Sequence, residues 1–417
     1  MPFRTALSGL NAASSELRVI GNNVANAATT GYKKSRTEFG DIYASASLGS
    51  GSTTIGSGVR VTNISQQFAP GNINNTGNDL DIAIDGQGFF RMNDNGVSVY
   101  TRNGTFNPDK NGFIVNSQDQ HLTGYIADSS GNITGALGDI WVDTSNNSPQ
   151  PTSSISFGLN LNASATATAA ILGPFDVTDA STYNDSTSLT IYDSLGDSHL
   201  STSYYRQTAV ANQWETYTYI DGNQVNGAQA NGSDLIQFDG QGNLVSLNGA
   251  GAPPSVYTLA STYNPGNGAS NIALSMDYST TTQYGGGFDP IALTQNGYST
   301  GRLSGIAIDD TGIVQARFTN GQTRTLAQIA LANFSNTQGL QQMGDTAWSE
   351  TFESGPALIG SPGGSSLGLI RSGSLEGSNV DLTEQLVNMI TAQRNFQANA
   401  QVISTADTVT QAIINIR

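Results

Sequence analysis

The sequence predicts a mainly β protein with an α-helix at each end. The two terminal helices are expected to pair as a coiled coil, followed by two β-rich domains in a nested, discontinuous arrangement. Three observations support this class. Apolar residues recur at helical spacing near the N-terminus, and the segment 381–417 contains neither glycine nor proline. The chain between them alternates apolar and polar residues, punctuated by Asn-Gly and Asp-Gly pairs.

The N-terminal segment carries one narrow apolar seam, with steps of three and four residues that place its members on one helix face. The members are Phe3, Leu7, Leu10, Leu17, Ile20 and Val24. Gly9 and Gly21 each weaken a helix by about 1 kcal/mol relative to alanine. The helix should end near Asn26, because the following Ala28-Thr29-Thr30-Gly31 supplies β-branched residues and then glycine.

The C-terminal segment 381–417 predicts a helix of about 55 Å. Ser378, Asn379 and Asp381 offer N-cap oxygens, and Glu384 follows Asp381 at the spacing of a capping box. Its apolar residues form two stripes, so the helix needs more than one neighbour. The first stripe is Leu386, Met389, Phe396, Ala400, Ile403 and Ile414, and the second is Val387, Ile390, Val402, Val409, Ile413 and Ile416.

Two interpretations of the terminal helices stay open at this point. They could form an intramolecular hairpin that caps a β domain. Alternatively, they could pair and leave apolar surface that neighbouring subunits cover. The long C-terminal helix favours the second interpretation, since no domain core of matching length is evident for it.

The central region, from about Gly40 to Gly373, has the pattern of short strands and tight turns. Asn-Gly and Asp-Gly pairs favour such turns because both residues tolerate positive φ. The pairs are Asn95-Gly96, Asn103-Gly104, Asn111-Gly112, Asp221-Gly222, Asn226-Gly227, Asp239-Gly240, Asn248-Gly249 and Asn320-Gly321.

Composition divides this region into nested domains. Between Trp141 and Tyr284 the sole Lys or Arg is Arg206, and the stretch is rich in Ser, Thr and Asn. We therefore expect an inserted domain. The expected division is a helical coiled-coil domain of residues 1–30 plus 375–417, a connector of 31–70 plus 360–374, an inner β domain of 71–145 plus 285–359, and an outer β domain of 146–284.

Charge and composition exclude several classes of function. The net charge is −16 and charged residues make up 12% of the chain, which argues against nucleic-acid binding. The absence of cysteine excludes disulfides and thiol catalysis. The N-terminus lacks the apolar core of a cleavable secretion signal, and no apolar stretch is long enough for membrane insertion.

Candidate catalytic and metal-binding residues are sparse. Gly86-Gln-Gly88 does not complete a dinucleotide-binding motif, and no cofactor is expected. Asp193 and Asp197 could flank a cation, although a hairpin turn accounts better for their spacing. His121 and His199 lie in no recognisable metal or catalytic-triad context. The chain is therefore expected not to be an enzyme.

The segment GNNVANAATTGYKKSRTEF has many turn-forming residues and the chain's densest basic cluster. It could be a linker with a solvated run of charge, or an ordered connector that docks against other subunits. The connector and docking candidates are Asn22, Asn23, Asn26, Gly31, Tyr32, Lys33, Lys34 and Arg36.

That segment, together with NDLDIAIDGQGFFRM and the C-terminal SNVDLTEQLVNMITAQRNFQANAQVISTADTVTQAIINIR, resembles the signature segments of bacterial flagellar axial proteins, the rod and hook subunits. The resemblance is looser in the centre, through IYDSLGDSH and GIVQARFTNGQTRTLAQIALANF. The chain length, the inserted central domain and the FGDIYAS step resemble a hook subunit rather than a rod subunit.

The resemblance implies a structural subunit that polymerises into a curved hollow tube, a flexible universal joint between the flagellar rod and filament. It implies an extracellular location, reached through the flagellar type III export apparatus without a cleaved signal peptide. The implied partners are further copies of the chain, the hook cap protein, the rod and the hook–filament junction proteins. Residues expected at the polymer contacts are Phe3, Leu7, Leu10, Leu17, Ile20, Val24, Leu386, Met389, Ile390, Phe396, Ala400, Ile403, Val409 and Ile413.

Three rival functions remain. A distal rod subunit belongs to the same structural class, but the central insertion argues against it. A secreted β-rich adhesin or carbohydrate-binding protein explains the turns but not the terminal helices. A secreted hydrolase lacks a recognisable catalytic set.

Overall fold

The computed structural model describes residues 2–42, 56–143, 145–168, 173–225, 227–249, 256–364 and 366–415. It confirms the predicted class, because a helix lies near each end and strands dominate the chain between them. The chain falls into two units. The first unit comprises Met1–Thr144, Ser304–Arg317 and Thr323–Arg417, and the second comprises Ser145–Leu303 and Phe318–Gln322.

The terminal helices begin and end where their local sequences predict. Helix α1 spans Pro2–Ala25, and the side-chain Nδ2 of Asn26 donates to the backbone oxygen of Asn22 at 2.9 Å. Helix α2 spans Leu382–Asn415. Asp381 caps it, since its Oδ1 accepts the N–H groups of Thr383 and Glu384 at 2.8 and 3.1 Å.

The first part of the first unit contains a long hairpin followed by shorter strands. Strands β1 and β2 pair antiparallel with a register shift at Glu38/Phe39. The strands are β1 Ser35–Asp41, β2 Val59–Gln66, β3 Ile73–Asn75, β4 Ile82–Asp85, β5 Phe89–Asp94, β6 Val97–Thr101, β7 Asn107–Pro108, β8 Ile114–Val115, β9 His121–Ala127 and β10 Ile133–Asp139.

The second unit is built from two sheets around one apolar core. Its strands are β11 Ser154–Asn162, β12 Asp185–Tyr192, β13 Ser198–Gln207, β14 Gln213–Ile220, β15 Asn223–Val225, β16 Asp234–Phe238, β17 Leu244–Leu247, β18 Val256–Thr258, β19 Ser275–Asp277, β20 Thr282–Tyr284 and β21 Asp289–Gln295. One sheet has the order β12-β13-β14-β16-β17, with β15 on β14. The other has the order β18-β19-β11-β20, with β21 on β11. Trp214, Tyr205 and Phe157 lie buried in the core.

The returning chain completes the first unit. Its strands are β22 Leu303–Ile308, β23 Ile313–Phe318, β24 Thr323–Ile329, β25 Leu331–Asn333, β26 Gln341–Gly344, β27 Ala347–Ser349, β28 Leu358–Gly360, β29 Leu369–Ser372 and β30 Ser374–Glu376. The main sheet runs β22-β23-β24-β9-β5-β6-β27-β26, so β9, β5 and β6 of the first chain segment lie between strands of the returning segment. An aromatic cluster of Phe89, Tyr100, Phe334 and Trp348 is buried beside it. Short 3-10 turns occupy Ala180–Thr182 and Thr337–Gly339.

One turn design recurs in both units. In each copy, an Asp Oδ1 accepts the backbone N–H groups two and four residues later at 2.7–2.9 Å. A glycine three residues after the Asp has a φ between 77° and 92°, which disfavours residues with a Cβ. The copies are DKNGF, DSSGN, DSLGD, DGQGN and DDTGI, which begin at Asp109, Asp128, Asp193, Asp239 and Asp309.

The Asn-Gly and Asp-Gly pairs behave less uniformly than expected. Both residues have positive φ in Asn95-Gly96, Asp221-Gly222 and Asn248-Gly249. Asp239-Gly240 lies in the hairpin turn between β16 and β17, although neither residue has positive φ. The expectation is wrong for Asn103-Gly104, where neither residue has positive φ and the flanking strands β6 and β7 do not pair. At Gly104 the backbone instead approaches Ile82, whose N–H donates to the Gly104 oxygen at 2.9 Å. Asn226 lies outside the described residues.

Candidate assembly surface

Helices α1 and α2 pack against each other in antiparallel register. Asn23 of α1 donates through Nδ2 to Gln385 Oε1 of α2 at 3.1 Å. Further along the pair, Gly9 faces the side chain of Asn399. Near the start of α1, Phe3 lines a groove with Val402 and Val409. The end of α1 therefore lies beside the start of α2, and the start of α1 lies beside the later turns of α2, as in an antiparallel helical hairpin.

Small residues lie on the packed face of α1. Ala6, Ala13 and Ile20 are buried, and Ala392 of α2 is fully buried. A Cβ added at Gly9 would lie 2.5 Å from Asn399 Oδ1, closer than any normal contact. Gly9 thus has a reason beyond helix propensity, because the absence of a Cβ leaves space for the Asn399 side chain of α2. Gly21, by contrast, has open space where its Cβ would lie.

The pair leaves an extensive apolar surface uncovered. Among the helix side chains that the structure describes, nine large apolar ones are 45–66% exposed, far above what a packed helix face shows. They are Phe3, Leu7, Leu382, Leu386, Val387, Ile390, Val402, Val409 and Ile414. On α2, Val402 and Val409 lie away from the half-buried Phe396 and Ile403 and join Ala398 and Ala406 in the groove beside Phe3.

The residues expected at polymer contacts divide into three groups. Phe3, Leu7, Leu386, Ile390 and Val409 are exposed, and Ile20 is buried. The half-buried group is Leu10, Leu17, Val24, Met389, Phe396, Ala400 and Ile403. The side chain of Ile413 lies outside the described part of the structure. A role for any of these residues in assembly stays a prediction.

A buried ion network joins the helix pair to the first unit's strands. Glu376, at the end of β30, is fully buried between two cations. Its Oε1 accepts Lys33 Nζ at 2.6 Å, and its Oε2 accepts Arg102 Nη1 at 3.0 Å. Burial lowers the pKa of Lys33 below its ordinary value, while the Glu376 carboxylate opposes that shift. The negative charge of Glu376 offsets the free-energy cost of removing the two cations from water.

Backbone groups complete this network. Lys33 Nζ also donates to the Ala69 oxygen at 3.0 Å, and Gly71 N–H donates to Glu376 Oε1 at 2.8 Å. Arg102 Nη2 donates to the Gly86 oxygen at 2.9 Å. Gly86 and Gly88 both have positive φ in the turn before β5. The Gly86-Gln-Gly88 bend therefore supports an ion network.

Two asparagines pin the connector to both termini. Asn23 is 1% exposed, and its Oδ1 accepts Tyr32 Oη–H at 3.2 Å and Ser35 N–H at 2.9 Å. Asn379 Oδ1 accepts Lys34 N–H at 2.7 Å, and its Nδ2 donates to the Gln67 oxygen at 2.7 Å. Asn379 therefore holds the connector and does not cap α2, contrary to its expected N-cap role.

The connector candidates thus separate into an interior and a surface group. Asn23, Gly31, Tyr32 and Lys33 are buried within the chain. The alternative of a solvated charge run is wrong for Lys33, whose side chain has no exposed surface. The surface group is Asn22, Asn26, Lys34 and Arg36, in which Lys34 pairs with Glu384 at 3.0 Å and Arg36 with Glu38 at 3.1 Å. Docking of this group to other subunits stays a prediction.

Sequence reasoning missed Arg102, Glu376 and Gln385. These residues carry the network that fixes the connector, yet they lie far from it in sequence. The low charge content of the chain was one available signal. Charged residues are rarely buried unless they are paired, so a lone Arg or Glu beside an apolar strand indicates a buried ion pair.

The cation suggested for Asp193 and Asp197 is replaced by a side-chain amide. Asn267 Nδ2 donates to Asp193 Oδ2 at 2.7 Å and to Asp197 Oδ2 at 2.9 Å. Asn267 Oδ1 accepts Ala269 N–H, which fixes the orientation of the amide. Within the described residues, no three His, Asp or Glu side chains are grouped to hold a metal ion. Neither described helix has the length and apolar character needed to span a membrane.

Comparison with known protein families finds four matching models. Residues 3–33 match the flagella basal body rod protein family, and residues 83–157 match the flagellar hook protein FlgE/F/G D1 domain. Residues 160–298 match the flagellar basal body protein FlaE D2 domain. Residues 371–416 match the flagellar basal body rod FlgEFG protein C-terminal family. The matched segments cover most of the chain.

Curated relatives match over the whole length. The chain is 38% identical to the flagellar hook protein FlgE of Salmonella typhimurium over all of both chains. It is 39% identical to the Escherichia coli K12 protein of the same name, also over all of both. The Borreliella burgdorferi protein of that name is 31% identical over 99% of this chain and 98% of its own.

One solved structure shares the fold. The crystal structure of Helicobacter pylori flagellar hook protein FlgE2 superposes with a TM-score of 0.53. The match covers 74% of this chain and all of that one, at 14% sequence identity.

Substitution of the two glycines of α1 should separate packing from helix propensity. Gly21→Ala should raise stability by about 1 kcal/mol, because alanine favours a helix and its Cβ meets nothing. Gly9→Ala should fall short of that gain, because its Cβ overlaps the Asn399 side chain, which must rotate away and lose its bond to the Asn395 oxygen. Thermal unfolding followed by circular dichroism at 222 nm measures both. Equal stabilisation by the two variants would show that Gly9 is not a packing position.

Removal of the buried carboxylate should strongly destabilise the first unit. Glu376→Gln leaves Lys33 and Arg102 without a counter-charge and should cost about 3–5 kcal/mol. The matched control is Glu384→Gln, which breaks an exposed pair and should cost about 0–1 kcal/mol. Urea unfolding followed by the fluorescence of buried Trp348 reports both changes. A cost for Glu376→Gln as small as the control's would contradict the proposed weight of the network.

Proposed function

This chain belongs to the flagellar hook protein family, and from that membership we propose that it polymerises through the exposed apolar faces of its terminal helices. It is a structural subunit of the flagellar hook. The polymer it forms is a curved hollow tube that acts as a flexible universal joint between rod and filament. The terminal helices form the inner layer of the tube.

The uncovered apolar surface supports this proposal most directly. Leu386 and Ile390 are each about half exposed and lie one turn apart on α2. Contiguous exposed apolar side chains on a helix mark a surface that another protein covers. Burying a leucine or isoleucine contributes about 1.5–3 kcal/mol, so a few such residues at each contact can hold a polymer together.

The exposed residues of α2 favour contacts that are stabilised by the burial of apolar surface. The exposed stripe on α2 contains Leu386, Val387 and Ile390, none of which requires a charged partner. A surface that meets a different surface on the next copy gives a heterologous contact, and such contacts extend without closing when the rotation is not a simple fraction of a turn. Helical tubes are the expected product.

Flexibility in the joint follows from the composition of the second unit. Between Trp141 and Tyr284 the sole Lys or Arg is Arg206, which is buried, so few exposed ion pairs can lock neighbouring copies together. We propose that residues 146–284 form an outer domain whose Ser, Thr and Asn surface slides between similar packings as the tube bends.

The location and partners complete the proposal. The chain is exported unfolded through the flagellar type III apparatus without cleavage and acts outside the cell. Its partners are further copies of itself, the hook cap protein, the rod and the hook–filament junction proteins. The surface connector residues Asn22, Asn26, Lys34 and Arg36 dock against neighbouring subunits. The chain has no catalytic role.

Polar substitutions in the exposed stripe should prevent tube formation without unfolding the monomer. Leu386→Ser with Ile390→Ser removes two apolar side chains from the contact and leaves the packed face of α2 unchanged. The critical concentration for assembly should rise by at least about tenfold, the equivalent of about 1.4 kcal/mol per contact.

The control for this test is Thr383→Ser with Gln397→Ser, two exposed polar positions on the same helix. Sedimentation and negative-stain electron microscopy compare tube yield, and circular dichroism checks that helix content is retained. Tubes from the Leu386/Ile390 variant at wild-type concentration would rule out this stripe as the polymer contact.

A further inference from the structure

The second unit contains a buried histidine that connects three of its loops. His199 lies near the start of β13 and is 8% exposed. Its Nδ1 lies 2.6 Å from Oδ2 of Asp221, in the turn after β14. Its Nε2 lies 3.4 Å from Oδ2 of Asp193, in the turn after β12. The ring also meets Tyr263 edge-on at 5.7 Å between centroids.

Both carboxylates already act as hydrogen-bond acceptors for other groups. Asp221 Oδ1 accepts Leu200 N–H at 2.9 Å, and its Oδ2 accepts Tyr263 Oη–H at 3.1 Å. Asp193 Oδ1 accepts the N–H groups of Leu195 and Asp197, each at 2.9 Å. Burial acts to raise the pKa of both carboxyls, but hydrogen bonds outweigh it and lower the pKa, chiefly the bond from Asn267 to Asp193 and the bond from His199 to Asp221. Both groups are therefore ionised.

An imidazole placed between two ionised carboxylates must donate from both nitrogens. A neutral ring carries one N–H and one lone pair, so one of its nitrogens would face a carboxylate oxygen without a proton between them. Only the imidazolium makes both contacts attractive. The geometry thus selects the protonated form of His199.

The charged surroundings act in the same direction. Asp197 lies in the same turn as Asp193, so three carboxylates converge on this region. Arg206, the sole Lys or Arg between Trp141 and Tyr284, is engaged elsewhere with the Thr168 oxygen and with Glu215. Asn267 supplies the remaining contact, as a neutral amide that donates to Asp193 and Asp197. His199 is therefore the cluster's titratable cation.

We propose that protonated His199 is a pH-sensitive clasp that holds the Asp193–Asp197 turn, the Asp221 turn and the 263–267 loop of the second unit together. Loss of its proton breaks the contact with one carboxylate and loosens these three loops. The clasp is closed while His199 carries both ring protons and opens when rising pH removes one of them.

The direction of the pH dependence follows from the histidine's pKa. Burial acts to lower the pKa of His199, but the bonds to Asp221 and Asp193 outweigh it and raise the pKa above its ordinary value of 6.5. The stabilisation is fully present below 6.5 and is lost as the pH rises through the raised value in the folded state. The second unit therefore loses stability as the pH rises above 6.5 and through the raised pKa of His199.

The chain offers a clean test because it contains two histidines. In full-length protein labelled with ¹³C-histidine, NMR titration should give two imidazole curves, assigned with His121→Gln and His199→Gln. The His199 midpoint should lie above 6.5. Asp221→Asn, which keeps a similar shape and removes one carboxylate, should move that midpoint to lower pH.

Hydrogen exchange read by mass spectrometry tests the loops themselves. After correction for intrinsic exchange, peptides covering 193–197 and 263–267 should lose protection several-fold between pH 6 and 9. His199→Gln should remove this dependence, and His121→Gln, in the first unit, should retain it. A His199 midpoint at or below 6.5, or unchanged pH dependence in His199→Gln, would overturn the clasp. These readings use the monomer and do not depend on polymerisation.

Discussion

The fold depends on how closely α1 and α2 approach each other. Gly9 leaves space for the Asn399 side chain, and the buried alanines are small, so only a narrow face of each helix is satisfied within the chain. Large apolar side chains such as Leu386, Val387 and Ile390 lie outside that face and remain in solvent. The pairing therefore buries only part of the apolar surface of the two helices. Another molecule has to cover the remainder, and this requirement links the fold to the assembly of a hook.

A second constraint ties this surface to the β structure. Glu376, Lys33 and Arg102 come from the segment before α2, the segment after α1 and the strand region between them. Because an unpaired charge is costly to bury, none of the three is stable in place without the others. The termini and the first unit should thus become ordered together. The helix pair is held by its ends, through Asn23, Gln385 and Asn379, as well as by its packed face.

Local chemistry allowed the sequence to predict the helices and the β class. The Asp381 cap and the turn ending at Gly31 depend on neighbours within a few residues, and so does the strand alternation. The ion network depends on residues more than 270 positions apart, which no local pattern brings together. The turns were only partly predictable. Asn-Gly pairs are an uneven signal, whereas an Asp followed by a glycine three residues later forms the same turn each time, as at Asp239 and Gly242. The family resemblance, carried mainly by the terminal segments, is confirmed by full-length relatives.

The apolar face of α2 that is exposed in one molecule should become covered in the polymer. Hydroxyl-radical footprinting of monomer and tubes, read residue by residue by mass spectrometry, measures that coverage directly. Leu386, Ile390 and Val402 should lose most of their reactivity on assembly, while the buried Trp348 and Phe89 should change little. Equal reactivity of Leu386 and Ile390 in monomer and tube would contradict it, because the apolar face would then still be in contact with water.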